Sequence, residues 1–311
     1  MNGLIVIIPF YQKEPGILNR ALKSIDNQVD ISSINQVVIV DDGSPVSAIN
    51  EINDLSNTLI SKLHIIKQEN QGVSRARNVG LAYANNNGQY IAFLDSDDIW
   101  QEHHISLMMQ AFELGAQFYF ANFFQPGQTI GAFERGQKLQ LDEHSSLGQN
   151  LYCYEKDMIQ QILVGNLIGT PTVGFKIDGF SELRFKENLR FAGEDYLFWL
   201  DIAKQQPKII FSNKITVHCG KGVNIFASAK WGTMHLQHRL TDELNFRKSV
   251  ISSYQLNEET LAHVTSSIWQ SRKQIILNGL SLLKHRQWQV ITHLTRTIVS
   301  DPKILVAAFS H

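Results

Sequence analysis

An apolar run that ends abruptly in three carboxylates constrains this chain most. Residues 89–94 read Gln-Tyr-Ile-Ala-Phe-Leu, and Asp95, Ser96, Asp97 and Asp98 follow directly. A short apolar, aromatic run predicts a strand buried on both faces, as in the parallel sheets of α/β proteins. Charges cannot continue into that core, so the acids lie at the carboxyl edge of the sheet, where such sheets bind ligands. Their hard oxygen atoms suit Mg²⁺ or Mn²⁺, whereas a plain turn followed by a helix N-cap is the alternative interpretation.

The first hundred residues alternate predicted strands with predicted helices. A β-branched strand over 4–8 is followed by a loop with Pro9 and Tyr11, and a strand over 36–40 ends in Asp41 and Asp42. Periodicity further predicts helices over 16–28, 46–60 and 73–84, the last with Ser74 as candidate N-cap, and a strand over 63–67. This order predicts a doubly wound α/β half-domain with a nucleotide site at its strand ends. Neither G-x-G-x-x-G after the first strand nor G-x-x-x-x-G-K-[ST] is present, so the common dinucleotide and P-loop sites are excluded.

Two arginines fall in the first turn of the predicted helix at 73–84. Arg75 and Arg77 oppose the helix dipole there, which favours an anion such as a diphosphate beside them. Solvated surface charges are the alternative, because exposed arginines are ordinary.

Composition places the chain among globular proteins. Its 311 residues are 43% hydrophobic and 18% charged, with a net charge of -1 that gives no global field for nucleic acid. Two cysteines, Cys153 and Cys219, fit a reducing compartment. The N-terminus lacks signal-peptide features, and no apolar run reaches the ~20 residues of a membrane span. We therefore expect a cytosolic or peripheral protein.

The second half supplies two further candidate sites. Residues 115–124 predict an aromatic strand, whereas 125–150 lose periodicity and predict an irregular loop, either a lid or a surface excursion. Glu194 and Asp195 open an amphipathic helix, where acids can simply complement the helix dipole. A strand over 209–217 precedes His218, whose neutral imidazole is a competent metal ligand, although an isolated histidine is more often structural.

Four motifs together resemble those of the family-2 glycosyltransferases with the GT-A fold. Each is weak alone, but they occur in the family's order, each at a strand end or a helix start, and cover about residues 3–225. They are Ile7-Ile8-Pro9-Phe10-Tyr11, Val38-Ile39-Val40-Asp41-Asp42-Gly43-Ser44, Gly72-Val73-Ser74-Arg75-Ala76-Arg77-Asn78-Val79-Gly80 and Phe93-Leu94-Asp95-Ser96-Asp97-Asp98.

The resemblance implies a role for each site residue. Pro9, Tyr11 and Ser96 belong to the nucleotide-sugar site, where Tyr11 would stack on the base and Asp42, or its neighbour Asp41, would accept a hydrogen bond from it.

Arg77 would lie near the diphosphate, while Arg75 stands where many relatives have a small residue. Asp95 and Asp97 form the D-x-D signature, with Asp95 near the ribose and Asp97 on a Mn²⁺ or Mg²⁺ ion; Asp98 would be a helix cap or a supporting neighbour.

The resemblance also reverses the interpretation of the acidic pair. Asp195 would be the catalytic base and Glu194 a neighbour that contacts the acceptor. His218 would reach the metal or the diphosphate, with Lys221 or His235 as alternatives.

The resemblance says little about residues 226–311. Helical stretches such as 261–283, with Trp231, Trp269 and Trp288 and several basic residues, predict a helical extension. It could pack on the catalytic domain, form a homodimer or lie on a membrane, and packing or dimerisation is favoured. The predicted domains are 1–225, divided near residue 100 into a nucleotide-sugar half and an acceptor half, and 226–311.

We therefore expect a metal-dependent inverting glycosyltransferase that moves a sugar from a nucleotide sugar, UDP-linked by preference, to a hydroxyl of a saccharide or lipid-linked saccharide. Bacterial surface polysaccharide synthesis is the expected setting by analogy. A nucleotidyltransferase is the first rival, but its Gly-rich basic loop is missing after the first strand. A non-catalytic sugar-nucleotide-binding module is the second, and the retained Glu194-Asp195 pair weighs against it.

Overall fold

The computed structural model describes residues 3–136, 139–221 and 229–307. The chain divides into two compact units, Met1–Phe185 with Phe198–Val223, and Lys186–Leu197 with Asn224–His311. The domain boundary predicted at 225/226 lies outside the described residues. Residues 186–197, which carry the predicted base, group with the C-terminal helices, and no feature of the sequence predicts this.

The first unit is built on one ten-stranded sheet. In spatial order it runs β3-β2-β1-β4-β9-β6-β10-β8-β7, and β5 pairs with β10. The strands are β1 (Leu4–Phe10), β2 (Ile34–Asp42), β3 (Leu63–Gln68), β4 (Tyr90–Phe93), β5 (Ile99–Trp100), β6 (Phe118–Phe124), β7 (Ser145–Gly148), β8 (Leu151–Cys153), β9 (Gly174–Lys176) and β10 (Ile209–His218).

The direction of the strands fixes where ligands can bind. Strands β3, β2, β1 and β4 are parallel, β9 is antiparallel to both β4 and β6, and β10 is parallel to β6. The carboxyl ends of β1, β2, β4, β6 and β10 therefore meet at one edge. The predicted α/β fold with a mostly parallel sheet is confirmed, and antiparallel strands complete the sheet beyond β4.

Helices cover the faces of this sheet. They are α1 (Ile17–Asp26), α2 (Asn57–Ile60), α3 (Val73–Asn87), α4 (His104–Glu113), α5 (Ala132–Gly136), α6 (Met158–Gly165) and α7 (Glu194–Ala203), the last of which contributes residues to both units. Strand β1 is buried along its whole length, as its apolar sequence predicts. Helix α3 approaches β1 closely at Gly80, where an added Cβ would lie 2.4 Å from the Ile7 side chain.

The prediction of one continuous helix over residues 46–60 is wrong. Only a 3₁₀ turn at Ala48–Glu51 and the short helix α2 form there. Asp54 adopts a left-handed φ of 52°, and Ser56 caps a new helix by accepting from the Leu59 N–H. The buried Glu51 carboxylate accepts from the Gly16 N–H instead of facing solvent on a helix. Polar residues that bond locally thus interrupt the apolar periodicity.

Two other local predictions need correction. Ser74 does not cap α3, because Gly72 is the N-cap residue and its N–H donates to the Asp42 carboxylate. The segment predicted as an irregular loop, 125–150, contains α5, β7 and the turn of the β7–β8 hairpin. The two residues between these strands, Gln149 and Asn150, have φ of 51° and 66°, as a tight hairpin turn requires.

The second unit is helical, as predicted. Its helices are α8 (Met234–Ser253), α9 (Glu258–Lys284), α10 (Gln289–Ser300) and α11 (Lys303–Ala307). Thr233 and Asn257 cap α8 and α9 by accepting from backbone N–H groups. The buried Asp301 carboxylate accepts a bidentate ion pair from Arg272, which ties α9 to the start of α11. No helix in the described part of the chain is long and apolar enough to cross a membrane.

Candidate active site

The acidic run after β4 forms a tight turn. The Asp98 N–H donates to the Asp95 carbonyl at 3.0 Å, and the chain then enters β5. A strand therefore follows the turn, and the predicted role of Asp98 as a helix cap is wrong. Its Oδ1 instead accepts from the Gly220 N–H at 2.7 Å, in the loop after β10.

The carboxylates of this turn are close enough to affect one another. Burial raises the pKa of Asp98 well above its usual range, and the charges of Asp95 and Asp97 raise it further. Burial also raises the pKa of the Cys219 thiol, and the Asp98 charge adds to that shift. Negative charge is thus concentrated at the sheet edge, in an environment that favours a cation.

The two arginines of α3 have different environments. Arg77 is buried, and its Nη2 donates to Asp95 Oδ1 at 2.9 Å. The guanidinium also lies 5.2 Å from the centre of the Phe185 ring. Arg75 is exposed on the same helix. The structure thus brings Arg77 against the Asp95 carboxylate.

The carboxylates that end β2 are both buried and both organise loops. Asp41 accepts from the N–H groups of Ser44 and Ala48 at 2.9 and 3.2 Å. Asp42 accepts from the Gln68 side chain and from the N–H groups of Gln71 and Gly72, all within 2.8 Å. These bonds fix the loop that leads into α3, and Tyr11 lies half-buried beyond the end of β1.

Gln12 is a site residue that sequence reasoning missed. Its Nε2 donates to Ser96 Oγ at 3.0 Å, and its backbone exchanges hydrogen bonds with Ser44 Oγ at 2.9 and 3.0 Å. Gln12 therefore joins the loops after β1, β2 and β4. The position directly after Tyr11 was the only available signal.

Gly220 is a second missed residue. A Cβ added there would lie 1.8 Å from the Asp97 carbonyl oxygen, so only glycine allows this approach of two backbones. The loop begins at His218, which is half-buried, with its ring 5.1 Å from that of Phe124. Lys221, its predicted alternative, is exposed.

The donor atoms of the turn fit a divalent ion. Mg²⁺ and Mn²⁺ take one or two carboxylates from a protein and complete their shell with substrate phosphates and water. Asp95 and Asp97 supply such hard oxygen atoms, and their negative charges contribute to the raised pKa of Asp98. Within residues 3–136, 139–221 and 229–307, no group of three or more His, Cys, Asp or Glu side chains could hold a metal by itself.

The acidic pair lies in the second unit, at the start of α7 as predicted. The segment before it is held by α8. Asp242 Oδ2 accepts from the N–H groups of Arg190 and Phe191, both at 2.9 Å. Gly193 has a φ of 89°, and an added Cβ would meet the Phe246 side chain at 2.8 Å. His235, the other predicted alternative to His218, also lies in this unit, 6.0 Å from the Phe191 ring.

Comparison with known proteins agrees with this geometry. Residues 5–177 match the model of the family described as glycosyl transferase family 2. The succinoglycan biosynthesis protein ExoW of Rhizobium meliloti is 26% identical over 313 residues, which cover 99% of this chain and 97% of ExoW. Three glycosyltransferases from Rickettsia species are longer, and the chain spans only 26% to 30% of their length.

Two solved structures share the fold. Residues 1–349 of Staphylococcus aureus TarS with UDP-GlcNAc match with a TM-score of 0.60 at 18% identity, over 95% of this chain and 80% of that one. The mannosyltransferase PcManGT from Pyrobaculum calidifontis, with GDP-Man and Mn²⁺, matches with a TM-score of 0.59 at 14% identity, over 98% of this chain and 85% of that one. Because the family model covers more than half of its residues, the chain belongs to glycosyl transferase family 2.

Proposed function

We propose that this glycosyltransferase transfers a hexose or an N-acetylhexosamine from a UDP-sugar to a hydroxyl of a saccharide or lipid-linked saccharide, with inversion, in bacterial surface polysaccharide synthesis. The observation that carries the proposal is the ion pair between the buried Arg77 and the half-buried Asp95, beside the Asp97 and Asp98 carboxylates. The name of ExoW supports the polysaccharide setting. The UDP-GlcNAc complex of TarS supports a uridine donor, whereas the GDP-Man complex of PcManGT makes guanosine the alternative.

On the donor side, each residue has a distinct task. Tyr11 stacks on the base, and Asp42 or Asp41 accepts a hydrogen bond from it, after some rearrangement of the loop bonds that these carboxylates now make. Asp95 binds the ribose and Asp97 would hold the metal ion, while Pro9 and Ser96 shape the pocket. Arg77 and Arg75 face the diphosphate, and His218 is a further metal or diphosphate ligand.

The chemistry is a single displacement. Asp195 accepts the proton of the acceptor hydroxyl as its oxygen bonds the anomeric carbon, and the bond from that carbon to the diphosphate oxygen breaks with its electron pair leaving on the diphosphate. Glu194 contacts the acceptor. Arg77 stabilises the negative charge that develops on the leaving group. A bound Mn²⁺ or Mg²⁺, held by Asp97 and Asp95, would supply further charge neutralisation at the diphosphate.

We propose a cytoplasmic location, where nucleotide sugars are made, with the enzyme acting at or near the membrane that carries a lipid-linked acceptor. The predicted division of labour, with residues 1–100 binding the donor and 101–225 contributing to the acceptor side, is part of the same proposal.

Calorimetric titration of UDP and GDP, with Mn²⁺ and then with EDTA, tests the donor side. We expect UDP to bind with Mn²⁺ and EDTA to abolish that binding. Asp97→Ala should weaken metal-dependent binding, and equal affinity with and without chelator would contradict the metal site. Asp195→Asn should abolish transfer and leave UDP binding intact; transfer at near wild-type rate would exclude Asp195 as the base.

A further inference from the structure

The outer face of α9 near its C-terminus is apolar with a basic residue at each end. Lys273, Leu277, Leu280 and Lys284 are all exposed, at intervals of four, three and four residues that place them on one side of the helix. The opposite side carries buried residues such as Leu282. The unit's own core thus leaves this stripe uncovered.

Helix α10 continues the pattern beside α9. Trp288, Ile291, Thr295 and Val299 are exposed at helical spacing, opposite the buried Val290 and Thr297, and Val299 is 75% exposed. The two helices pack closely, because a Cβ on Gly279 of α9 would lie 2.7 Å from the side chain of Leu294 on α10. Leu305 and Val306 of α11 are exposed as well.

We name the part of this surface from residue 280 onward the tail face and define it by its large exposed apolar residues. Six large side chains make it up, and Trp288 among them is 62% exposed. They are Leu280, Trp288, Ile291, Val299, Leu305 and Val306. Isolated exposed apolar residues are normal, but six within 27 consecutive residues on three helices form a concentration that predicts an interaction surface.

The charges of the tail face have one sign. Within residues 284–307 the basic side chains of Lys284, Arg286, Arg296 and Lys303 are all exposed. Asp301 is the acid of this segment, and it is buried in ion pairs with Arg272 and Lys248. The segment therefore presents positive charge to the outside, although the whole chain has a net charge of -1.

We propose that the tail face lies on an anionic lipid surface. Exposed Trp and aliphatic residues flanked by Lys and Arg on a helix are the combination that binds at the headgroup boundary of a membrane. A second copy of the chain fits less well. A two-fold contact through the tail face would bring two sets of four positive charges together with no exposed acid of the same segment to offset them.

Vesicle co-sedimentation of the full chain tests this proposal. The probes are vesicles of phosphatidylcholine alone and of phosphatidylcholine mixed with phosphatidylglycerol. We expect binding to the mixed vesicles that weakens as salt is raised. Lys284→Gln and Arg286→Gln should each weaken it about fivefold. Trp288→Ala should weaken it about tenfold or more, because a large apolar side chain no longer enters the bilayer.

Matched controls separate this effect from a general loss of folding or charge. Trp231→Ala removes a tryptophan that is 57% exposed but outside the tail face, and Lys67→Gln removes an exposed charge of the first unit. Both should bind like wild type, and thermal melting should show all variants folded.

Vesicle binding that Lys284→Gln, Arg286→Gln and Trp288→Ala all leave unchanged would overturn the proposal. Equal binding to neutral and anionic vesicles would also overturn it. Sedimentation of the chain as a dimer that Trp288→Ala dissociates, without vesicle binding, would assign the tail face to a second copy instead. The test uses no sugar donor, so it stands or fails independently of the proposed reaction.

Discussion

Replacing Asp242 by alanine should slow transfer without weakening donor binding. The Asp242 carboxylate holds the backbone of Arg190 and Phe191 by two hydrogen bonds of 2.9 Å, just before Glu194 and Asp195. Burial raises the pKa of Asp242, and the two N–H donors oppose that shift, so the bonds favour the ionised group. Without this acceptor, the segment that carries the proposed base loses two backbone hydrogen bonds to α8.

The strength of the two hydrogen bonds to Asp242 sets the size of the expected loss of kcat. A hydrogen bond to a charged acceptor contributes about 1.5–3 kcal/mol, and the lower value suits a half-buried group. Two bonds then give about 3 kcal/mol. If all of this free energy serves to hold Asp195 in place, kcat falls by about 100-fold in Asp242→Ala. Asp242→Asn keeps an oxygen acceptor without the charge, and should lose only about 1 kcal/mol, or about fivefold.

The assay is steady-state transfer with kcat and the donor KM measured separately, alongside calorimetric UDP binding. Glu243→Ala is the matched control, because it removes a neighbouring carboxylate whose ion pairs with Arg239 and Arg247 lie along the surface of α8. Such pairs contribute about 0.3–0.5 kcal/mol, so the control should stay within about twofold of wild type. Full kcat in Asp242→Ala would refute the reasoning, as would equal losses in the alanine and asparagine variants.

Three further changes have definite expected outcomes. Gly220→Ala should abolish Mn²⁺-dependent UDP binding in calorimetry while the chain stays folded, because the new Cβ displaces the Asp97 carbonyl; unchanged affinity would contradict the proposed turn geometry. Gln12→Ala should weaken that binding about tenfold, because the loss of one buried hydrogen bond leaves the Ser96 side chain free to move. Wild-type affinity would exclude Gln12 as a positioning residue. Burial lowers the pKa of His104 to about 3, below its value of about 6.5 in the unfolded chain, so its contribution to stability is present above pH ~6.5 and is lost as the pH falls toward 3. Between pH 7 and pH 5 wild type should therefore lose about 2 kcal/mol more unfolding free energy than His104→Phe in urea titrations, and parallel losses would show that His104 is not buried in its neutral form.

The strands and the acids at their ends could be predicted because both depend on local sequence. The apolar runs that form β1 and β4 have no polar residue to leave them ambiguous, and a carboxylate cannot enter such a core. The same holds for the start of α7 at Glu194, where acids in the first turn agree with the helix dipole.

The remaining features depend on partners that are distant in sequence. Glu51 turns inward because its carboxylate accepts a hydrogen bond from the Gly16 N–H, and Gly16 is 35 residues away in the chain. This contact is incompatible with a continuous helix over 46–60. Gln12 meets Ser96 across 84 residues. Periodicity in one segment contains no information on such pairs. Gly220 could not be predicted for the same reason, since its lack of a side chain matters only where the Asp97 backbone arrives.

The bond between Asp98 and Gly220 also bears on how the protein matures. It joins residues that are 122 positions apart, so the acidic turn is made long before the loop that completes it. At about 5–20 residues per second, a ribosome needs on the order of ten seconds to bridge that interval. During this time the Asp98 carboxylate has no backbone donor from Gly220, whereas Asp95 can already pair with Arg77. A chain released before residue 220 would keep the parallel strands β1 to β4 but lack the backbone donor for Asp98. Truncated products of this enzyme should therefore be unable to hold a sugar nucleotide.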